Sequence, residues 1–331
     1  MREIGSEFWD VPVVDKNNGL FPQYTQWYLS GRSALRAIIA DLGDAKSVSL
    51  PSWCCDSVIK PFIDSAFDVY FYPVYARENL IQEYNLNSDV LFLMDYFGYS
   101  GPSPDLSNYK GIIIRDVSHS LFSTQYDDAD YYFGSLRKWC GVITGGYAWS
   151  RDGHHLNSGR DVDLNYVSLR QNAMLKKKEY LAGIRNDKSY ISVFNAAEEY
   201  LDSVGIVSAF ENDVCIAEHL DVDGIVGRRR ANANVLRKAF SEWLIFSTSS
   251  DTDVPMFVPV IVPDGKRDSL RKFLINNDIY CPIHWPVSEY HRFDERFTFI
   301  YRNELSLVCD QRYNEVDMDR MVEAINRFME D

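Results

Sequence analysis

Lys138 follows the apolar run Tyr131, Tyr132 and Phe133, with Ser135 three residues before it and Gly145-Gly146 behind it. An amine at the end of a buried strand becomes a nucleophile when burial or a cationic neighbour lowers its pKa. Upstream, Ile112, Ile113 and Ile114 lead into Arg115-Asp116-Val117-Ser118-His119, which puts a carboxylate and an imidazole at a second strand end. A third stretch, Ser30-Gly31-Arg32-Ser33, precedes the helically spaced apolar residues Ala34, Leu35, Ile38, Ile39 and Leu42. The first N–H groups of such a helix, with hydroxyls beside them, suit a phosphate.

Together these groups meet the needs of pyridoxal 5'-phosphate (PLP): an amine for its aldehyde, a carboxylate for its ring nitrogen, and a cradle for its phosphate. Each piece alone has a commonplace explanation, as a turn aspartate, a solvated lysine, a packed histidine or an ordinary helix cap. Their order along the chain and their shared place at strand ends carry the inference.

Elements must hold these groups in place. Val48–Leu50, Val69–Val74, Val90–Met94, Gly111–Arg115, Tyr131–Phe133 and Tyr147–Trp149 read as strands, with a helix over 34–42 before the first and another over 54–66 between the first two. Apolar runs alternating with helices predict a largely parallel sheet covered on both faces, with ligands at its carboxyl edge. Residues 165–245 read mainly as helices. Beyond them come a strand at 256–262, a helix at 265–277, a strand from Phe297 to Val308 and a closing helix from Val316 to Phe328. The expected fold is α/β: a large domain at 1–225 and a smaller C-terminal α+β domain at 226–331.

The 331 residues are 46% apolar and 25% charged, as in globular proteins, and the formal net charge is −14. Such a chain repels nucleic acid and anionic membranes, so neither is expected as a partner. Arg228-Arg229-Arg230 is expected on a solvated helix face. The six cysteines form no CxxC pair, so no metal site or disulfide framework is expected. Reduced thiols, no signal peptide and no apolar span fit a cytoplasmic enzyme.

Several segments resemble the DegT (DegT/DnrJ/StrS) family of PLP-dependent sugar aminotransferases, of PLP fold type I. SGRSALRAIIADLGDAKSVSL (30–50) resembles its phosphate-loop helix and next strand. MDYFGYSG (94–101), RDVSHSLFS (115–123) and GSLRKWCGVITGGYAWS (134–150) resemble, in turn, a "VHLYG" stretch, an "EDAAHAxG" motif and the cofactor-lysine segment. ELSLVCDQRYNEVDMDRMVEAINRF (304–328) resembles the family's "LSLP" strand and last helix. The likeness is thin over 151–225.

The resemblance implies that Lys138 is the catalytic lysine, Asp116 pairs with the ring nitrogen, and His119 sits near the ring's phenolic oxygen. Ser135, Gly31, Arg32 and Ser33 would hold the phosphate, with Arg32 standing where the family commonly has Thr. In Pro51-Ser52-Trp53-Cys54-Cys55 the ring-stacking aromatic is shifted. Cys55 takes its position, and Trp53 is a candidate ring or pocket contact. The "GxNxRM" motif, whose asparagine reaches a partner subunit's cofactor, is absent. Arg137, His284 and Trp285 are candidate substrate contacts, and Arg170, Lys176, Lys177, Lys178 and Arg185 are further cations for an anionic substrate.

The implied activity is transfer of an amino group, from glutamate, to a keto sugar or sugar nucleotide, by a homodimer. Another PLP reaction (lyase, aldolase or dehydratase) and a non-catalytic PLP-binding regulator remain alternatives. A dehydrating branch of the family has His at the lysine position. Lys138 therefore favours transamination.

Overall fold

A computed structural model describes residues 3–77, 79–101, 104–123, 128–291 and 297–330. The strands are β1 (Ile4–Gly5), β2 (Gln26–Tyr28), β3 (Ser47–Pro51), β4 (Asp68–Tyr72), β5 (Val74–Ala76), β6 (Leu80–Gln82) and β7 (Val90–Met94). They continue with β8 (Ile112–Asp116), β9 (Tyr131–Ser135), β10 (Gly146–Ser150), β11 (Phe257–Ile261), β12 (Ile279–Tyr280) and β13 (Glu304–Val308). The helices are α1 (Gly31–Ile39), α2 (Asp56–Asp64), α3 (Leu164–Leu181), α4 (Tyr190–Ser203), α5 (Glu211–Glu218), α6 (Val222–Ala239), α7 (Arg267–Asn276), α8 (Thr298–Asn303) and α9 (Glu315–Glu330).

Seven strands form the main sheet in the order β2-β10-β9-β8-β7-β3-β4. The five from β9 to β4 run parallel, and β10 is antiparallel to both its neighbours. All five residues of β7 are buried, as a strand covered on both faces requires. The parallel register pairs Met94 with Asp116, and Asp116 with Phe133. The ends of β7, β8 and β9 therefore share one edge of the sheet.

A second core is built from the antiparallel pair β11–β13 with residues of α6, α7 and α9. The N-terminal strand β1 pairs with β12 there, so the start of the chain joins the C-terminal lobe. Helix α6 runs through residue 225 and touches both cores: Ile225 packs beside Trp139, while Ala233 and Leu236 pack on β11 and β13.

Two expectations are corrected. Residues 298–303 are helix α8, and only Glu304–Val308 continue as strand. The solvated arginine triplet is also wrong in its middle member. Arg229 is wholly buried, 4.5 Å from the centroid of the Trp139 ring, because helical periodicity turns one of three consecutive side chains inward. Its guanidinium donates to the Gln311 side chain at 2.8 Å and to the carbonyl of Met256 at 2.9 Å.

Candidate active site

Asp116 is the last residue of β8 and is buried. The Ser118 N–H donates to its Oδ1 at 2.8 Å, and the Ser118 side chain also bonds the carboxylate. Burial raises its pKa, against the lowering effect of Lys138 and Ser118. The chain then turns so that Ser118 O accepts from the Trp139 indole at 2.8 Å, tying this turn to the one that carries the lysine.

That second turn follows β9. Leu136 N donates to Gly145 O at 2.7 Å, and Gly145 adopts φ 117°, a backbone state that favours glycine. Lys138 Nζ lies 3.0 Å from His119 Nε2. Burial, then Lys138, then His284 hold His119 well below the usual histidine pKa. With His119 neutral, a hydrogen bond from the Lys138 amine to Nε2 leaves the ring proton on the buried Nδ1.

Asp116, Lys138, Ser135, Gly31 and Arg32 all line one cavity of about 660 Å³. Helix α1 starts there. A Cβ on Gly31 would meet the Ser135 Cβ at 3.4 Å, so the helix start and the end of β9 are in contact. Ser33 does not face the cavity as expected. Its hydroxyl donates to Gly205 O at 2.9 Å, and its N–H is capped by Ser30 Oγ. The Arg32 guanidinium turns to Asp202 on α4, which leaves its backbone as the part suited to an anion. Cys55 lines the cavity as the N-cap of α2, with Ser57 beside it.

Trp53 is wholly buried and does not line the cavity, a correction to its expected role. It stacks on Tyr96 and donates its indole N–H to the carbonyl of His284. The aromatic over the site comes from the other lobe. The Trp285 ring lies 5.7 Å from the His119 ring at an interplanar angle of 25°. His284 is also fixed. The Ser306 hydroxyl donates to Glu304, so it accepts from His284 Nδ1 at 2.8 Å.

Of the expected cations, Arg137 and Arg170 line the cavity, Arg137 against Glu198 and Arg170 against Glu7 and Glu198. Lys176 is half-buried, Lys178 is exposed, Arg185 pairs with Glu179, and Lys177 is buried 3.3 Å from Glu3. Sequence reasoning missed Ser118, Arg271 and Arg312. Only Ser118 had a signal, its place between Asp116 and His119. Among the described residues no cluster of side chains suits a metal ion, and no helix is long and apolar enough to cross a membrane.

The donor set fits PLP. It offers an amine, a buried carboxylate, a helix start with a serine hydroxyl beside it, and an aromatic face, all on one cavity.

No known family's sequence profile matches the chain, and no curated protein sequence does. Solved structures do. A DegT DnrJ EryC1 StrS aminotransferase from Brucella abortus matches with a TM-score of 0.61 at 14% identity, over 92% of this chain and 85% of that one. A putative sugar aminotransferase from Streptococcus pneumoniae, in its PLP form, matches at 0.61 and 12%, over 96% and 91%. Helicobacter pylori PseC, an aminotransferase involved in the biosynthesis of pseudoaminic acid, matches at 0.63 and 12%, over 97% and 99%. What this chain shares with these sugar aminotransferases, along nearly its whole length, is the fold: PLP fold type I.

Proposed function

We propose that the protein is a PLP-dependent aminotransferase acting on a keto sugar or sugar nucleotide, with glutamate as amino donor. The observation that carries this reading is the contact of Lys138 Nζ, on the cavity that Asp116 and the start of α1 also line, with Nε2 of His119, which is wholly buried behind the lysine and does not itself line that cavity. The activities of the structural neighbours, sugar aminotransferases among them, support it.

When bound, the cofactor supplies an electron sink for charge developing on the substrate carbon beside the amino group. Asp116 would hold the ring nitrogen through its carboxylate. The N–H groups of Gly31 and Arg32 and the Ser135 hydroxyl would hold the phosphate, Cys55 would line its surroundings, and Trp285 would cover the ring. Lys138 Nζ is the covalent anchor and the atom that holds and moves a proton. Neutral His119 takes a hydrogen bond from that amine and keeps it turned into the cavity. His284 and Arg137 would be substrate contacts. Burial of Asp116 and His119 strengthens their interactions with the half-buried Lys138.

The reading includes a cytoplasmic homodimer, the commonest closed assembly. Sedimentation at micromolar concentration tests it, and a monomer overturns it.

The cofactor assignment is tested by loading the protein with PLP, reducing with borohydride and mapping peptides. Label on Lys138, with an absorbance band that shifts when glutamate is added, is the expected result. Label elsewhere removes Lys138 from its role. Label on Lys138 with a band indifferent to every amino donor points instead to a non-catalytic binder.

A further inference from the structure

The cavity around Lys138 is rich in cations although the chain carries −14. Most of them are matched. Arg170 sits 3.2 Å from both Glu7 and Glu198, and Arg137 also meets Glu198. Arg312 pairs with Asp310 at 2.8 Å, and Arg32 with Asp202. Arg229 is buried and spends its N–H groups on a side-chain amide and backbone carbonyls.

Arg271 differs. It projects from α7 into the same cavity, half-buried, and no carboxylate pairs with it among the described residues. Its Nε donates to the carbonyl of Cys281 at 3.2 Å. That bond fixes one edge of the planar guanidinium. Both Nη groups are left without a protein acceptor among the described residues, yet neither is sealed from water. A planar fork held by one edge, with its other N–H groups free, matches the paired oxygens of a carboxylate or phosphate. Its position extends this argument. Cys281 begins the segment that continues through Pro282 and Ile283 to His284 and Trp285, all but Cys281 on the cavity wall. An anion on Arg271 therefore leaves the rest of its molecule pointing along this wall toward the lysine.

We propose that Arg271 is an anion-binding residue of this cavity, taking carboxylate or phosphate oxygens at the end of the substrate remote from the reacting carbon. This rests on reading the cavity as the active site of an aminotransferase. Two sources offer that chemistry: the side-chain carboxylate of a dicarboxylic amino donor, and the diphosphate of a sugar nucleotide.

Calorimetric titration of the full chain, with and without PLP, tests the proposal using glutarate and UDP as probes. The proteins are wild type, Arg271→Gln and Arg271→Lys. At least one probe is expected to bind wild type and to weaken with added salt. Arg271→Gln should weaken that binding at least about tenfold, a lost charge-assisted hydrogen bond of about 1.4 kcal/mol. Arg271→Lys should restore part of it, and PLP loading should be the same in all three. Binding of glutarate alone identifies the donor carboxylate, and binding of UDP alone identifies the diphosphate. Failure of both probes to bind wild type, or equal binding to Arg271→Gln, overturns the proposal. Failure of borohydride to label Lys138 removes the aminotransferase reading instead, and leaves the probe result on the cofactor-free protein standing.

Discussion

The base of the cavity and its wall are held by different means. Asp116, His119, Ser135 and Lys138 come from the ends of two adjacent parallel strands and are placed by backbone bonds, such as Val117 N to Phe133 O at 2.9 Å. Arg271, His284 and Trp285 come from the C-terminal lobe and are placed mainly by side chains. The Trp53 indole holds the His284 carbonyl, and Glu304 with Ser306 orients the His284 ring. A backbone ladder tolerates change in the side chains around it. A wall held by side chains changes shape with one substitution, which suits the part of a site that selects a substrate.

The sharpest way to break this comparison is at the base. Asp116→Asn should cut turnover on the order of 10²–10³-fold, as for other fixed electrostatic partners of a reacting group. The same substitution should make the cofactor-free protein melt at a higher temperature. Burial raises the folded-state pKa of Asp116 above its unfolded value, so its ionised form is a cost at neutral pH that the amide removes. Kinetics and thermal melts read the two effects. A structural aspartate would show lower stability and ordinary turnover.

A smaller effect is expected at the wall. Trp285→Ala should raise KM for the acceptor about tenfold, the size of a lost aromatic contact of about 1.4 kcal/mol, with kcat changing less. Trp285→Phe should stay near wild type. Steady-state kinetics decide, and a loss confined to kcat would move Trp285 from wall to base.

The smallest effect is in stability against pH. His119 is held well below the usual histidine pKa, and His291 down to about 4, both chiefly by burial. The unfolded chain takes up these protons below about pH 6.5 while the folded one resists. Stability should be complete above that pH and fall as the solution is acidified toward pH 4. Melts of the cofactor-free protein at pH 7.5 and pH 5 should differ, and His119→Asn should narrow the gap.

The base was legible in the sequence because each of its residues ends an apolar run, and a parallel sheet gathers such ends along one edge. Lys138, Asp116, His119, Ser135 and Gly31 all line or adjoin the cavity as that logic requires. The wall was legible only in part: His284 and Trp285 stand out in the sequence and line the cavity, but Arg271 does not stand out. Arg271 is one of two arginines on the amphipathic helix α7, and its place depends on a bond to Cys281 that no spacing announces. Arg229 hid in a charged triplet whose inward member packs on Trp139, far away in sequence. The segment FTFIYR is rich in strand-favouring residues, yet it forms α8, where Ile300 and Tyr301 are buried against the main sheet's core.

Tyr301 has one further consequence. Its hydroxyl donates to Ser52 O at 2.7 Å and lies 3.3 Å from Cys54 N, in the loop whose Trp53 also grips His284. The smaller lobe is thus latched to the tip of β3 at two points beside the cavity. A lobe held in this way is a poor hinge. A reactant then enters a vestibule shaped in advance, and turnover at saturating substrate should be nearly indifferent to viscogens that slow large-scale closure.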